Sequence, residues 1–216
     1  MSEKPVIAIL GGTGHEGTGL ALRWASNGYD VIIGSRKEEK ALRVAGELNT
    51  VLGEELIQGM ENARAAREAD INVLTVVQSA HQAAVLALKE DLQGKILIDA
   101  TAQITFPDPK PPDPPSAARK AQEILGDSVP VVAAFQNIPA HALQDLEKEL
   151  ESDVLVSADD QDDAKTVIEI IEGAGMNAYY VGDLDMAITI EGLTAVLVNI
   201  NRYNDIKHAS VRIVGS

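Results

Sequence analysis

The stretch PVIAILGGTGHEG, residues 5–17, decides the fold of this chain of 216 residues. Its apolar part, 5–10, predicts a buried strand, and the glycines that follow predict a tight turn. The turn enters a segment of helical period that stops at the pair Asn27-Gly28, a typical C-terminal cap. The stretch therefore predicts a strand, a glycine turn and a helix in direct succession.

The same alternation continues along the chain. Further strands are predicted at 30–34, 71–77, 95–100 and 129–134, and helices at 37–48, 61–68 and 80–91. Aromatic residues make up only 3% of the sequence, so the core must consist of Val, Ile, Leu and Ala, as in parallel sheets covered on both faces. The pattern predicts an α/β fold with a Rossmann-type, doubly wound and mainly parallel sheet.

The C-terminal part repeats the pattern on a smaller scale. It predicts strands at 153–157 and 177–181, a helix at 161–174, an apolar helix at 183–201 buried by several neighbours, and an edge strand at 210–214. We expect a Rossmann domain over 1–140 and a small α/β extension over 141–216 that completes the substrate cleft. Within the first of these parts, residues 105–115 hold six prolines and predict a stiff, extended loop beside the site rather than a ligand for a partner.

Composition excludes several classes of site. The chain has no cysteine, which removes disulfides, thiolate metal sites and cysteine nucleophiles. The formal net charge of −15 argues against a nucleic-acid partner, which requires a basic surface. Neither a leader peptide nor an uncharged membrane-length segment is apparent. We therefore expect a cytoplasmic protein without a membrane partner.

The glycine turn has the spacing of a dinucleotide site. In G-x-G-x-x-G the first glycine permits the turn, the second lets the backbone approach a pyrophosphate, and the third allows close helix packing. The helix N-terminus adds free N–H groups and a positive dipole end. The predicted cofactor-binding residues here are Gly12, Thr13, Gly14, His15, Glu16 and Gly17.

The end of the second strand selects the dinucleotide. NAD sites usually carry an acidic residue there, which bonds the ribose 2′-hydroxyl. This chain has Ser35 and Arg36 instead, with Lys37 next and Lys40 one helical turn beyond Arg36. A hydroxyl and two cations suit a 2′-phosphate. Helix capping by Ser35 is the alternative reading, but it does not explain the missing carboxylate, so NADP(H) is predicted over 1–140.

The strand predicted at 71–77 ends in Thr75, Val76 and Val77, at the carboxyl edge where doubly wound sheets bind ligands. These residues are predicted to pass near the nicotinamide ribose. His81 follows on the next helix and is included in the predicted cofactor site, although a lone histidine there is more often structural.

Several segments resemble one family, the NADPH-dependent reductases of coenzyme F420 (F420:NADP oxidoreductases). The first is the glycine turn, GGTG at 11–14 with Gly17, Gly19 and Leu20-Ala21, together with Ile33-Gly34-Ser35-Arg36 and Glu39-Lys40. The second is the segment 134–141, AFQNIPAH. The third is EGLT at 191–194, running to NINR at 199–202 and KHA at 207–209. The resemblance covers nearly the whole chain.

The resemblance implies reversible hydride transfer between NADP(H) and the deazaflavin ring of F420, in which the protein supplies orientation and excludes water. It implies no catalytic acid, nucleophile or metal. The nicotinamide would lie at Val76, Val77 and Ala140. The deazaflavin would contact Gln136, Asn137, Ile138, Pro139 and Leu197. Its anionic tail would meet the basic residues Arg202, Lys207, His208 and Arg212, which could equally form a solvated basic tail.

One segment departs from the family. After the fifth predicted strand, where the family carries a Pro- and Val-rich loop, this chain has Asp-Ala-Thr-Ala-Gln at 99–103. Two other functions therefore stay open: reduction of a different acceptor, such as a flavin, an imine or a keto compound, and an NADP(H) sensor without turnover. The apolar C-terminal helix also suggests a homodimer.

Overall fold

The computed structural model describes residues 4–148 and 150–215. Strands and helices alternate along it. The strands are β1 (Ile7–Leu10), β2 (Val31–Ser35), β3 (Ile57–Glu61), β4 (Ile71–Leu74), β5 (Ile96–Asp99), β6 (Val131–Ala133), β7 (Val154–Ala158) and β8 (Ala178–Tyr180). The helices are α1 (His15–Ser26), α2 (Glu38–Leu52), α3 (Asn62–Glu68), α4 (His81–Leu88), α5 (Ala117–Leu125), α6 (Ala140–Gln144), α7 (Gln161–Glu172) and α8 (Ala187–Asn204).

The eight strands form one sheet in the order β3-β2-β1-β4-β5-β6-β7-β8. The first six in this order are parallel to one another, β7 pairs antiparallel to β6, and β8 pairs parallel to β7. The strand order reverses direction between β1 and β4, which is the switch point where doubly wound sheets bind ligands. The predicted fold class is confirmed.

Helices cover both faces of the sheet and divide the core into two clusters. One cluster joins α1, α2 and α7 to the sheet around Trp24, and the other joins α3, α4 and α5. The indole of Trp24 donates a hydrogen bond to the carbonyl of Ile170 at 3.1 Å and meets the ring of Phe135 edge-on, 5.7 Å between centroids. Aliphatic side chains form most of the rest, as the low aromatic content predicts.

Some predicted boundaries were wrong. The strand predicted at 71–77 ends at Leu74, and the strand predicted at 210–214 does not form. In that segment, Val211 accepts one backbone hydrogen bond from Asp153 and Ile213 donates to the Asp153 carboxylate. The side chain of Asp153 thus takes the place of a ladder partner. Strand β3 and helices α5 and α6 were not predicted.

The proline-rich segment 105–115 forms no helix or strand, as predicted, and lies along α8. Asn199 donates to the carbonyl of Pro109 at 3.0 Å, and Arg202 donates to that of Pro107 at 3.1 Å. Helix α8 itself is less buried than predicted, since Val196 is 47% exposed. The segment Leu184–Asn204 is long and apolar enough to cross a membrane by length and composition alone.

Candidate functional site

The glycine turn joins β1 to α1 at the carboxyl edge of the sheet. The backbone N–H of Gly12 donates to the carbonyls of Ile9 and Gly34, at 3.1 and 3.0 Å. A Cβ atom at Gly17 would lie 2.5 Å from Gly12, so only glycine lets the helix approach the turn. A Cβ atom at Gly14, in contrast, would meet no atom within 4 Å. Packing therefore explains Gly12 and Gly17, whereas Gly14 borders open space.

Asn62, the first residue of α3, holds the turn from the other side. Its Oδ1 atom accepts a hydrogen bond from the N–H of Gly11 at 3.1 Å. A Cβ atom at Gly34 would lie only 2.7 Å from the same oxygen, so glycine there lets Asn62 reach the turn. Gly11 has a positive φ of 73°, a conformation that glycine adopts without strain. No local sequence pattern signals this contact.

Three basic side chains, those of Arg36, Lys37 and Lys40, follow the end of β2. The Oγ atom of Ser35 accepts the N–H of Lys37 at 3.2 Å, and α2 begins after Lys37 without a side-chain cap. Ser35 therefore orders the turn but does not cap the helix. The side chains of Arg36, Lys37 and Lys40 are exposed, and none forms an ion pair within the described part of the chain.

The residues after β4 lie directly beside the glycine turn. Thr75 donates its N–H to the carbonyl of Leu10 at 3.0 Å, and a Cβ atom at Gly11 would lie 2.6 Å from Cγ1 of Val76. Val77 follows and is 71% exposed. The structure thus brings the glycine turn into contact with residues 75–77, which are predicted to pass near the nicotinamide ribose. The apolar side chain of Val77 is exposed there.

Glu16 occupies the first turn of α1 beside this edge. Burial, and secondly the negative charge of Asp99, raise the pKa of the Glu16 carboxyl from 4.5 to about 8. The carboxyl is therefore mostly protonated at neutral pH. The glycine turn is the predicted pyrophosphate site, so a neutral Glu16 adds no negative charge that would repel the pyrophosphate.

His81, at the start of α4, is buried against β5. Its Nε2 atom lies 2.6 Å from Oδ2 of Asp99, the last residue of that strand. The second carboxylate oxygen of Asp99 accepts the N–H of Thr101 at 2.9 Å. His81 therefore has a buried hydrogen-bond partner, and the strand end that departs from the family pattern provides it.

The turn after β6 carries the residues predicted to contact the acceptor. Phe135 adopts φ 79°, an uncommon value for a residue with a Cβ atom, and this turns Gln136 and Asn137 inward. Gln136 donates to the carbonyl of Asp99 at 2.7 Å, and Asn137 donates to Thr194 of α8 at 2.9 Å. The amide oxygens of Gln136 and Asn137 are buried and accept no hydrogen bond from the described residues.

Ile138 and Pro139 lead into α6, whose first residue is Ala140. The guanidinium of Arg23 from α1 holds the end of this short helix, with donations to the carbonyls of Leu143 at 3.0 Å and Asp145 at 2.7 Å. Arg23 is 6% exposed. Helix α1, which begins at the glycine turn, thereby fixes the position of Ala140.

The predicted residues of the C-terminal part do not form one cluster. Leu197 is 8% exposed within α8, and Arg202 and Lys207 are exposed. Arg202 bonds the proline-rich segment, whereas the ring of His208 lies 5.1 Å from that of His141, which in turn lies 5.4 Å from that of His15. The basic residues thus approach two different sides of the site.

Two cavities border the carboxyl edge. The larger, about 760 Å³, lies between α6 and the C-terminal segment and is lined in part by Pro139, His141, Lys148 and His208. The smaller, about 220 Å³, includes His81 and Thr101 in its wall. Among the described residues, no group of three or more His, Cys, Asp or Glu side chains could hold a metal ion.

Sequence reasoning missed three buried polar residues of this region: Asn62, Asp99 as the partner of His81, and Glu191. Glu191 is fully buried, and its carboxylate accepts the N–H groups of Gln103 and Ala117 at 3.1 and 2.6 Å. The position of Asp99 at the end of an apolar strand predicts that it lies at the carboxyl edge, but only the strand order places it beside His81. Asn62 and Glu191 carried no signal.

Comparisons with known proteins agree with the fold and the motifs. Residues 6–103 match the family model described as NADP oxidoreductase coenzyme F420-dependent. The chain is 38% identical to an F420-dependent NADP reductase from Methanothermobacter marburgensis, over 96% of this chain and 97% of the relative. It is 37% identical to a protein of the same name from Methanocaldococcus jannaschii, with the same coverage of both chains.

A crystal structure from Arthrobacter sp. FB24, provisionally named an F420-dependent NADP reductase, shares the fold. The TM-score is 0.83 at 24% identity, covering 98% of this chain and 100% of the other. At that identity the likeness supports the fold alone, whereas the two archaeal relatives decide the family. The resemblance drawn from the sequence motifs is confirmed: the chain belongs to the family of F420-dependent NADP reductases.

Proposed function

We propose that the chain catalyses reversible hydride transfer between NADP(H) and coenzyme F420. The observation that carries this proposal is the position of two turns at one edge of the sheet. The glycine turn follows β1, and the buried turn 136–139 follows β6, where the amide oxygens of Gln136 and Asn137 accept no hydrogen bond from the part of the chain that the structure describes. One turn suits a pyrophosphate, and the other offers polar atoms that a second ligand can satisfy.

The NADP(H) site follows from the glycine turn outward. The pyrophosphate lies against Gly14, where a side chain would have open space but where backbone N–H groups face the ligand. Ser35, Arg36 and Lys40 bind the 2′-phosphate, and this role is supported by the exposure of the two cations, neither of which forms an ion pair with residues 4–148 or 150–215. The nicotinamide end lies at Val76, Val77 and Ala140, with Thr75 and His81 nearby at the same edge of the sheet.

The deazaflavin site lies on the other side of the nicotinamide. Gln136, Asn137, Ile138 and Pro139 line it from β6, and Leu197 closes it from α8. Arg202 and Lys207 receive the anionic tail of the coenzyme. The C-terminal part, 141–216, completes this cleft around the NADP-binding part, 1–140, because α8 anchors the acceptor turn through the contact of Asn137 with Thr194.

The bound coenzymes supply the redox chemistry, since both carry electron pairs as hydride. The protein residues orient them and exclude water. Thr194 accepts a hydrogen bond from Asn137 and donates to the carbonyl of Gln136 at 2.9 Å. Together with the Arg23 contacts of α6, these bonds hold the acceptor turn rigid relative to the glycine turn.

The direct test is to incubate the protein with NADPH and oxidised F420 and to record the visible absorbance of the deazaflavin. Bleaching, at a rate much higher with NADPH than with NADH, supports the proposal. NADPH oxidation only with a flavin, imine or keto acceptor indicates another reductase. Tight NADPH binding without oxidation by any acceptor indicates a sensor. Either of the last two results rejects the proposal.

We also propose that the protein acts as a soluble, cytoplasmic homodimer without nucleic-acid or membrane partners. Helix α8 exposes Val196 and Tyr203, at 47% and 71%, and a second copy would cover them. The same helix buries the carboxylate of Glu191, which suits packing in a soluble protein better than a lipid environment. Sedimentation of Val196→Glu against the unchanged protein tests the dimer, which the substitution should dissociate.

A further inference from the structure

The His81–Asp99 pair has properties that binding a dinucleotide does not explain. The two side chains are 4% and 0% exposed, and their polar atoms lie 2.6 Å apart. Burial of such a pair costs free energy unless its hydrogen bonds are satisfied. Asp99 satisfies its second oxygen with the N–H of Thr101. The second ring nitrogen of His81, Nδ1, has no hydrogen-bond partner among residues 4–148 and 150–215.

His81 also lines the smaller cavity, which is polar. Its volume of about 220 Å³ has room for several waters. The other lining residues are Gln78, Ser79, Gln82, Thr101, Gln103, Ala117 and Lys120, with no carboxylate among them, although the chain has a net charge of −15. The buried hydroxyl of Thr101, in the wall of this cavity, makes no hydrogen bond with the described residues.

Asp99 links this pair to the acceptor turn. Its backbone carbonyl accepts hydrogen bonds from Gln136 Nε2 at 2.7 Å and from the N–H of Ala134 at 3.2 Å. The pair therefore occupies a fixed position relative to the residues proposed to bind the deazaflavin. An unpartnered ring nitrogen, a carboxylate behind it and a polar cavity beside it form the arrangement expected of a proton donor.

We propose that His81, held by Asp99, donates the proton that accompanies hydride transfer, and that the polar cavity resupplies it from water. This inference rests on the proposed function. A two-electron reduction of the neutral acceptor adds two hydrogens: one arrives with the electron pair as hydride from NADPH, and the other arrives as a proton. The Nδ1–H bond of the imidazolium breaks, and the neutral ring keeps its Nε2–H on Asp99. In the reverse direction Nδ1 accepts the proton.

Charged groups on three other elements surround the pair. Glu16 on α1 interacts with the charge of Asp99, and Lys120 on α5 lines the cavity. Glu191 on α8 holds the N–H groups of Gln103 and Ala117, which also line it. Each of these contributes to the pH dependence of proton transfer, so the test relies on substitutions of the pair and on isotope effects rather than on a pH profile alone.

The test compares His81→Gln and Asp99→Asn with Asp70→Asn. Asp70 also accepts a backbone N–H, that of Val6 at 2.8 Å, but at the amino edge of the sheet. In the two pair variants we expect kcat for F420 reduction to fall about 100-fold. The solvent isotope effect should increase and the primary effect of deuterated NADPH should decrease, because proton delivery becomes slow. The NADPH KM should stay within about threefold. The control should match the unchanged protein.

A measurement on the ligand-free protein adds a readout independent of turnover. The chain has four histidines, so nitrogen-resolved NMR can assign each ring. We expect a downfield Nε2–H resonance from the hydrogen bond to Asp99, slow to exchange with water. It should be absent from His81→Gln and exchange rapidly in Asp99→Asn. A protected resonance that persists in Asp99→Asn contradicts the arrangement.

The outcomes separate this inference from the proposed function. If the unchanged protein bleaches F420 while both variants keep kcat within about twofold and show unchanged isotope effects, the proton donor is rejected and F420 reduction stands. A raised NADPH KM with unchanged kcat also rejects it and makes His81 a binding residue. Failure of the unchanged protein to bleach F420 rejects both. If Asp99→Asn does not fold, His81→Gln alone decides.

Discussion

Oδ1 of Asn62 lies 3.1 Å from the backbone nitrogen of Gly11 and accepts its hydrogen bond, which ties α3 to the glycine turn across the end of β1. Asn62 is 8% exposed, so no water replaces this contact easily. Loss of the acceptor would leave the partly buried N–H of Gly11 without this partner, at a cost of about 1–3 kcal/mol. The shape of the proposed pyrophosphate site therefore depends on a residue outside the glycine motif.

We expect Asn62→Ala to lower both the free energy of unfolding and the NADPH affinity, the latter by about tenfold. Asn62→Asp keeps an acceptor oxygen but adds a charge beside the pyrophosphate. It should weaken NADPH binding while retaining more stability than the alanine variant. Urea unfolding and calorimetric titration measure the two effects. NADPH affinity unchanged in both variants would show that the turn does not need Asn62.

The choice of dinucleotide depends on Arg36. In Arg36→Ala we expect NADP(H) affinity to fall by about 1.5–3 kcal/mol, since a charge-assisted phosphate contact is lost, while NAD(H) affinity stays nearly constant. Fluorescence titration with both reduced nucleotides measures this difference. Arg43→Ala is the control, because Arg43 lies on α2, the helix that follows Arg36, and is exposed and paired with Glu47 at 2.6 Å. Equal losses for both nucleotides in Arg36→Ala would refute the 2′-phosphate assignment.

Local sequence patterns predicted the strands that carry the site, because their apolar runs and the glycine turn are contiguous in the chain. They failed where tertiary packing overrides them. Strand β3 reads IQGME and lacks strand propensity, but Gly59 lets α2 pack so closely that a Cβ atom there would lie 2.4 Å from Leu42. Sheet pairing with β2 then fixes its conformation.

The buried polar contacts of the site could not be predicted from local sequence patterns either. His81 and Asp99 are 18 positions apart, and Gln103 and Glu191 are 88 apart. Only the strand order places such residues together, and periodicity does not give that order. In contrast, the absence of a carboxylate at the end of β2 can be read directly from the sequence, because the two consecutive residues Ser35 and Arg36 stand where an acidic residue would be.

The carboxylate of Glu191 holds both ends of the proline-rich segment, because it accepts hydrogen bonds from the N–H groups of Gln103 and Ala117 on either side of the segment. Burial raises the pKa of its carboxyl, and the hydrogen bonds from those two N–H groups oppose this effect. In Glu191→Gln one oxygen becomes an NH₂ group that faces an N–H donor. We expect amide hydrogen exchange at Gln103 and Ala117 to accelerate at least about tenfold, while exchange in β1 stays unchanged.

Exposed Glu123 on α5 provides the control for this measurement, since Glu123→Gln should alter exchange at neither amide. If Glu191→Gln exchanges like the unchanged protein, the segment is held by other contacts, such as those of Asn199 and Arg202 with its carbonyls.

The raised pKa of Glu16, about 8 in the folded protein against an ordinary 4.5, makes stability depend on pH. Between these two values the folded state holds a proton that the unfolded state has released. The stabilisation of the folded state by this proton is therefore complete below pH 4.5 and is lost as the pH rises through 8. Glu16→Gln lacks this dependence, so relative to the unchanged protein it should become more stable by over about 1 kcal/mol at pH 9.

The same ionisation places a negative charge at the proposed pyrophosphate site. We expect the NADPH Kd of the unchanged protein to increase from pH 7 to pH 9 and that of Glu16→Gln to stay nearly flat. Urea unfolding and titration at each pH measure the two quantities, and Glu90→Gln, at an exposed position after α4, is the control. Parallel pH curves for the unchanged protein and Glu16→Gln would mean that Glu16 is ionised at neutral pH, and that the glycine turn binds its ligand beside a carboxylate.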